Sequence, residues 1–431
     1  MRVKEFLKKI IPPFLLNFYH FLLAFLGAIF YFFPSKKIKV VGITGTKGKS
    51  TVIFMTEKIF EEAGYKVASI SSIKFKIGKK EKKNDLRITM PGRLKLQKFL
   101  REAVKENCDI FLLEVTSEGI KQYRHTFIDF NICCFLNLTP EHIEAHGSFE
   151  NYKKAKLKLF KALEKSKKRD KKIIVNLDDG NCKDFLKFKV KEKIGFTTRG
   201  KRNKINRIVE AKNIKIKGKE STFEVNGEKF LLKVPGIFNI ENALCAISIA
   251  TCFEIPLKIS KKALEKIEKI EGRMEEIIKK PFRVIIDYAH TPHSLEKVYF
   301  LIKEKFLKNK GKLICVLGSA GGGRDKWKRP YLGKIAKKYC QKIIVTNEDP
   351  YDEDPREIIE QIVKGAGKKA LKILNRREAI KKALSLAEKG DIVIITGKGS
   401  EESICIKGGK KIPWSDKKVV LEEFQKIYGK I

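Results

Sequence analysis

The stretch VVGITGTKGKSTVIF, Val40 to Phe54, limits what this chain can fold into more than any other. An apolar run rich in β-branched residues enters a turn with three glycines, then meets a lysine, two hydroxyls and an apolar helical segment. Strand, glycine turn and helix in that order let backbone N–H groups close around phosphate oxygens at a helix N-terminus. The usual G-x-x-x-x-G-K-[ST] pattern needs glycine at 43, where Ile43 stands, so the loop has its own spelling. In this context Lys49 is placed to reach β/γ-phosphates and the Ser50 hydroxyl to bind Mg²⁺. The competing reading is an ordinary βα turn.

The residues around the loop predict an α/β protein. Segments 38–43, 67–71, 109–115, 130–138 and 172–177 read as buried strands. Helical stretches fall between them near 50–63, 92–106 and 151–167, the pattern of a largely parallel, helix-covered sheet. Residues 205–235 alternate in short β runs around Gly218 and Asn226-Gly227, which reads as a hairpin insertion. A second series starts after Gly272, with strands at 283–288, 312–318, 342–346 and 391–396. With 431 residues and 43% hydrophobic content the chain can bury more than one core. Two α/β domains with a seam near 272–281 are expected.

The formal charge of +42 raises nucleic acid as a partner. The lysines, however, are spread over nearly every predicted helix and loop, and no aromatic-plus-basic RNA signature accompanies them. A solvated basic surface that attracts anionic substrates or membranes accounts for the charge. The nine cysteines include no C-x-x-C pair, which points to reduced, buried thiols in a cytoplasmic protein. Phe14 to Phe33 is apolar around its whole circumference except for Asn17 and His20. It is long enough to suggest a membrane span, and equally a helix lying on a membrane, on a partner or on its own domain. Lysines flank both ends, so charge gives no orientation, and no small-residue cleavage site marks a signal peptide.

Nine separate stretches occur in one order: GTKGKST, EVTSEGIKQYR, NLTPEHIEAHG, NYKKAK, GIFNIENAL, GRMEEI, DYAHTP, GGGRDKWKRP and ITGKGSE. Together they resemble the Mur ligases, most closely those that add the third amino acid to UDP-N-acetylmuramoyl-L-Ala-D-Glu. The resemblance implies a central P-loop ATPase domain over 36–272 with a mostly parallel sheet, and a Rossmann-like domain over 273–431 for the incoming amino acid. Residues 1–35 are then a hydrophobic helix and linker, where family members place a whole UDP-binding domain. The implied activity is ATP-dependent amide ligation through an acyl phosphate, in a monomeric cytoplasmic enzyme, held at the inner membrane face or against a partner if Phe14–Phe33 docks there. The clustered anions of such a reaction need a divalent metal, Mg²⁺.

The resemblance also implies roles residue by residue. Gly45, Thr46, Lys47, Gly48, Lys49, Ser50 and Thr51 form the ATP loop, with Asn242, Arg273, Asp287 and His290 as further nucleotide contacts. Lys49, Glu114, His142 and Lys156 are the catalytic set; Ser50, Glu114, His142 and Lys156 are the metal side, with Lys156 carried as a carbamate. Thr89, Thr116, Gln122 and Arg124 match the positions that hold the UDP-muramoyl dipeptide. Arg324, Asp349, Tyr351, Gly397 and Glu401 match those for the amino acid.

Departures from the family pattern are informative. Lys47 stands where Asn is usual, Glu118 and Ser400 where His is usual. Diaminopimelate-adding members carry D-N-P-R, whereas this chain reads Glu348-Asp-Pro-Tyr351. The missing guanidinium removes a fork for a distal carboxylate, and Asp349 offers a partner for an ammonium, which favours lysine or another basic amino acid. Three other readings remain: a folylpolyglutamate-like or pseudomurein-type ligase, a membrane-tethered scaffold without catalysis, and a nucleic-acid-binding ATPase.

Overall fold

The computed structural model describes residues 12–84, 88–307, 311–368 and 370–429. Its largest sheet has nine strands: β1 Lys39–Thr44, β2 Val67–Ile70, β3 Lys74–Ile77, β4 Lys80–Lys83, β5 Ile110–Glu114, β6 Ile132–Phe135, β7 Lys172–Asn176, β8 Glu192–Thr197 and β9 Arg207–Glu210. They lie in the order β4-β3-β2-β5-β1-β6-β7-β8-β9. Every pair from β2 to β9 across this order is parallel, and only the β2–β3 and β3–β4 pairs are antiparallel. β1 lies at the centre and is buried along all but its first residue, which is why Val40 to Ile43 reads as an unbroken apolar run.

Helices cover both faces. α1 spans Pro13–Phe30, α2 Lys49–Glu62 and α3 Arg93–Lys105. α2 and the helix Ile237–Thr251 pack through Val52, Ile59, Phe60, Leu244 and Ile247 on one face. α3 and the helix Phe149–Lys165 cover the other with Leu96, Leu100, Leu159 and Phe160. The expected insertion is a three-stranded meander, β10 Lys212–Lys217, β11 Glu220–Val225 and β12 Glu228–Leu232. Asn226 and Gly227 both take positive φ, 48° and 85°, the backbone a two-residue hairpin turn requires. Unforeseen in the sequence are the lysine-rich β3–β4 hairpin and strand β8; β9, inside the expected β runs of 205–235, joins the edge of the main sheet instead of the insertion.

The second sheet comprises β13 Glu275–Ile278, β14 Arg283–Asp287, β15 Leu313–Leu317, β16 Lys342–Val345, β17 Ala370–Lys372 and β18 Ile392–Thr396, in the order β13-β14-β18-β15-β16-β17. All its pairs are parallel except β13–β14. A small antiparallel pair, β19 Ser403–Cys405 and β20 Lys411–Pro413, follows. All nine cysteines are free; eight are buried and Cys252 is half-buried.

The amino-terminal run departs from its expected extent. α1 stops at Phe30, Phe32 and Phe33 turn into left-handed backbone (φ 58° and 47°), and Pro34 opens a short 3-10 turn. Its 18 residues make a rod of about 27 Å at ~1.5 Å per residue, short of the ~30 Å hydrocarbon core. Among the described residues no helix is long and apolar enough to cross a membrane.

Candidate active site

The loop between β1 and α2 is built to be tight. Thr46 N donates to the Asn137 carbonyl (2.9 Å), Lys47 N to the Asn137 side-chain oxygen (2.9 Å), and Asn137 Nδ2 returns a bond to the Lys47 carbonyl (3.1 Å). Gly48 holds φ 91°, and a Cβ there would sit 2.4 Å from Asn242 Oδ1. The backbone angle and the close Asn242 side chain both demand glycine. α2 starts at Lys49 with no side-chain cap and no acid in its first turn, leaving its N–H groups and dipole for an anion. The Lys49 ammonium rests on the Gly45 and Thr46 carbonyls, each at 3.0 Å.

Glu114, at the C-terminal end of β5, enters the same space. Its Oε2 accepts from Ser50 Oγ (2.8 Å) and Ser72 N (2.9 Å), and Lys49 Nζ lies 3.9 Å from Oε1. A buried carboxylate beside a hydroxyl and a phosphate loop fits Mg²⁺, a hard cation that takes few protein oxygens and completes its shell with phosphate and water. His142 is neutral, pushed down to about 4 chiefly by burial, with its backbone in the left-handed region (φ 57°, ψ 27°). It faces Tyr152, ring centroids 6.0 Å apart, rather than bonding to Ser50 or Glu114. Among the described residues no three His, Cys, Asp or Glu side chains gather into a metal cluster.

Lys156 is the surprise of its lysine-rich helix. Its neighbours are solvated, but its own side chain is 1% exposed, and its Nζ donates to the Gly45 carbonyl at 2.9 Å. Burial, with the Lys49 charge beside it, pushes its amine far below the usual lysine range. A neutral buried amine at the phosphate loop is the form that reacts with carbon dioxide.

Across the seam, Lys47 binds both halves. Its ammonium is 2.8 Å from Glu141 Oε1 and 2.9 Å from His290 Nε2. The His290 Nδ1 proton goes to the Tyr288 carbonyl (2.8 Å), so Nε2 is left to accept from Lys47. Burial lowers Lys47 to about 8 and His290 to about 3. Burial opposes ionisation of Glu141, but the Lys47 ammonium outweighs it and holds the carboxyl well below its usual range. Glu144 and Asp325 add a second crossing: Glu144 N donates to Asp325 Oδ1 at 3.0 Å and Lys326 N to Glu144 Oε1 at 2.6 Å. Glu141 was not among the expected site residues; its only signal was its place next to His142.

On the carboxyl-terminal side, Asp287 accepts from Met274 N (2.8 Å) and Ala289 N (2.7 Å), and Arg273 stacks over the Tyr288 ring at 4.3 Å. Tyr288 in turn donates to Glu401 Oε1 at 3.2 Å. Gly397 has φ 107°, and a Cβ on it would strike Glu348. Burial works against the Arg324 charge, but Tyr351 and Tyr288 beside it hold the guanidinium above its ordinary value. Asp349 differs from its expected part: Lys398 Nζ (3.0 Å) and Cys405 N (2.7 Å) already occupy its Oδ1. The fully buried Lys398 ammonium, shared with Glu401, needs that carboxylate.

The dipeptide-side residues gather at the end of β5. Arg124 donates to the Met90 carbonyl, next to Thr89, and to Gln122 Oε1 at 2.7 Å. Thr116 is occupied as the cap of the helix Ser117–Lys121, accepting from Gly119 N at 3.1 Å.

Comparisons with known proteins converge on one family. Residues 43–250 match the model of the Mur ligase middle domain, and residues 272–399 that of the Mur ligase, glutamate ligase domain. The chain is 36% identical over 413 residues to a UDP-N-acetylmuramoyl-L-alanyl-D-glutamate--2,6-diaminopimelate ligase of Clostridium botulinum, covering 94% of this chain and 82% of that protein. It is 35% identical over 416 residues to a UDP-N-acetylmuramyl-tripeptide synthetase of Roseiflexus sp., covering 91% and 80%. A solved UDP-N-acetylmuramoyl-L-alanyl-D-glutamate--2,6-diaminopimelate ligase superposes with a TM-score of 0.60 at 26% identity, covering 91% of this chain and 79% of that one.

Proposed function

The chain belongs to the Mur ligase family, and from that premise we propose how its two halves carry out one ligation. Members of this family are ATP-dependent amide ligases that use Mg²⁺ and form C–N bonds, and the chain's relatives place it in peptidoglycan precursor synthesis. Its carboxylate substrate is UDP-N-acetylmuramoyl-L-Ala-D-Glu. A carboxylate oxygen of that dipeptide attacks the γ-phosphorus of ATP and ADP leaves. The neutral amine of an amino acid then attacks the acyl phosphate, and the tetrahedral adduct expels phosphate as the amine loses its proton.

Residues 36–272 hold ATP and the dipeptide, and residues 273–431 hold the amino acid. Lys49 would leave the Gly45 and Thr46 carbonyls for phosphate oxygens, and Ser50 and Glu114 would hold Mg²⁺, which would supply charge to offset that of the transferring phosphoryl group. Lys156 takes up carbon dioxide, releasing one proton, and as a carbamate joins His142 on the metal side. Asn242, Arg273, Asp287 and His290 surround the nucleoside, and Thr89, Thr116, Gln122 and Arg124 hold the dipeptide. Arg324, Tyr351, Gly397 and Glu401 receive the amino acid. Lysine or another basic residue is preferred over the diaminopimelate of the relatives' names, because residue 351 is tyrosine and supplies no second guanidinium. The enzyme works as a monomer in the cytoplasm, with α1 at the inner membrane face.

The observation that carries this reading is the Lys47–Glu141–His290 link, which ties the phosphate loop to the carboxyl-terminal half. With dipeptide labelled by ¹⁸O in its carboxylate, label is expected in released phosphate, and sustained ADP production only when dipeptide and amino acid are both present. Phosphate free of label, or ATP hydrolysis indifferent to the dipeptide, would overturn the assignment. Competition between lysine and diaminopimelate for ligation decides the amine.

A further inference from the structure

α1 turns its small residues inward and its large ones out. Ala24, Gly27 and Ala28 are buried, and a Cβ on Gly27 would lie 3.2 Å from Leu94 of α3. Phe21 and Phe25 lean on Phe127 with ring centroids 5.2 and 5.4 Å apart. The remaining surface carries Phe14, Phe18, Leu22, Leu26, Ile29 and Phe30 in one continuous apolar face, Phe14 69% and Phe30 70% exposed. A monomer in water does not ordinarily present such a face.

The rim of this face is cationic. No Asp or Glu occurs between Pro12 and Glu57, and Lys36, Lys37 and Lys39 follow the helix. Lys36 Nζ stands 4.7 Å over the Phe33 ring, and the Arg101 guanidinium of α3 5.9 Å over that of Phe32, which is 73% exposed. We propose that this face docks on an anionic lipid bilayer, α1 lying in the plane of the interface with its phenylalanines among acyl chains and its basic rim among headgroup phosphates. The helix is too short to cross, and aromatic rings ringed by lysines are the side chains an interface holds best. A second copy is disfavoured as the occupant, because it would press two chains of formal charge +42 rim to rim.

Docking has a direction. The Phe21 ring meets Tyr123 at 6.2 Å, edge to face, and Tyr123 lies between Gln122 and Arg124. α1 on a bilayer therefore sets the dipeptide side of the cleft beside the lipid surface. This deepens the membrane-face placement proposed above and rests on it, independently of which substrates the cleft takes.

Flotation of the full chain with vesicles tests it, using phosphatidylcholine alone against phosphatidylcholine with phosphatidylglycerol, at low and high salt. Binding to the anionic vesicles, weakened by salt, is expected, with a bound fraction at least about tenfold lower for Phe18→Glu/Phe30→Glu. Phe300→Glu/Ile412→Glu, which adds the same charge at exposed positions elsewhere, is expected to keep binding. No difference between the two variants, no binding by the unaltered chain, or a lipid-free dimer that Phe18→Glu/Phe30→Glu dissociates would overturn the proposal. Ligation measured in parallel separates the two readings: ligation without vesicle binding refutes docking alone, and vesicle binding without ligation refutes the ligase reading alone.

Discussion

Lys47 is predicted to act as a titrating strut between the phosphate loop and the carboxyl-terminal half. Its ammonium faces Glu141 at 2.8 Å and His290 at 2.9 Å, and burial lowers it from 10.5 to about 8. A drop of about 2.5 pH units corresponds to ~3.4 kcal/mol at ~1.36 kcal/mol per unit. Its side chain is 26% exposed, and solvent screening leaves about 2 kcal/mol of that. The folded value lies below the unfolded one, so between pH 8 and 10.5 the unfolded chain binds the extra proton. The Lys47 contribution is therefore unfavourable below pH 8 and is relieved as pH rises to 10.5. Urea unfolding of the unaltered protein and of Lys47→Asn, compared from pH 7 to pH 10, is expected to show a gap that shifts by about 2 kcal/mol in favour of the unaltered protein over that window. Over the same range the ion pair to Glu141 dissolves, so the Michaelis constant for ATP should rise in the unaltered enzyme and stay flat in the variant. Parallel stability profiles, constant to within about 0.5 kcal/mol, would refute the assignment of a buried, proton-shedding Lys47.

Lys49→Ala is expected to cost several powers of ten in ligation rate, about 3–5 kcal/mol, as other lost electrostatic stabilisers do; undiminished ligation would remove this loop from the chemistry. Lys156→Ala should be inactive and partly rescued by short carboxylates that refill the metal-side position, and full activity without bicarbonate would exclude a carbamate. Tyr351→Arg should shift the ratio of kcat/KM for diaminopimelate over lysine upward by about 1–3 kcal/mol, the worth of a charge-assisted fork, read in a two-substrate competition. An unchanged ratio would show that residue 351 does not face the amino acid.

Much of this fold was legible because its strands are buried on both faces. Val40–Ile43 and Ile392–Ile395 are near-continuous apolar runs, which no surface element can be, and the glycine turn after β1 fixed where α2 begins. β8 escaped because its charged start, Glu192 and Lys193, leaves only the short buried run Ile194 to Thr197. The site was legible as motifs but not as partnerships. Asp349 reads as a free acid that could meet a substrate ammonium, and only the three-dimensional fold shows Lys398 already bound to it.

That failure has a physical cause that applies to the whole chain. A sequence gives every lysine the same charge and the same preference for water, and with 93 Lys and Arg residues the surface absorbs nearly all of them. Function rests on the few that lose water. Lys156, Lys328 and Lys398 are each 5% exposed or less, and the fold answers each burial differently. Lys398 receives two carboxylates and keeps its charge above the ordinary lysine value despite burial. Lys328 receives the His290 carbonyl at 3.1 Å and is lowered by burial. Lys156 receives one carbonyl, no acid within ion-pair distance among the described residues, and a second lysine for a neighbour. An ammonium there lacks the carboxylate that would offset its burial, so the neutral amine is favoured beside the phosphate loop. A lysine-rich, largely solvated helix thus carries, at one position, a lysine whose amine burial pushes far below the ordinary range.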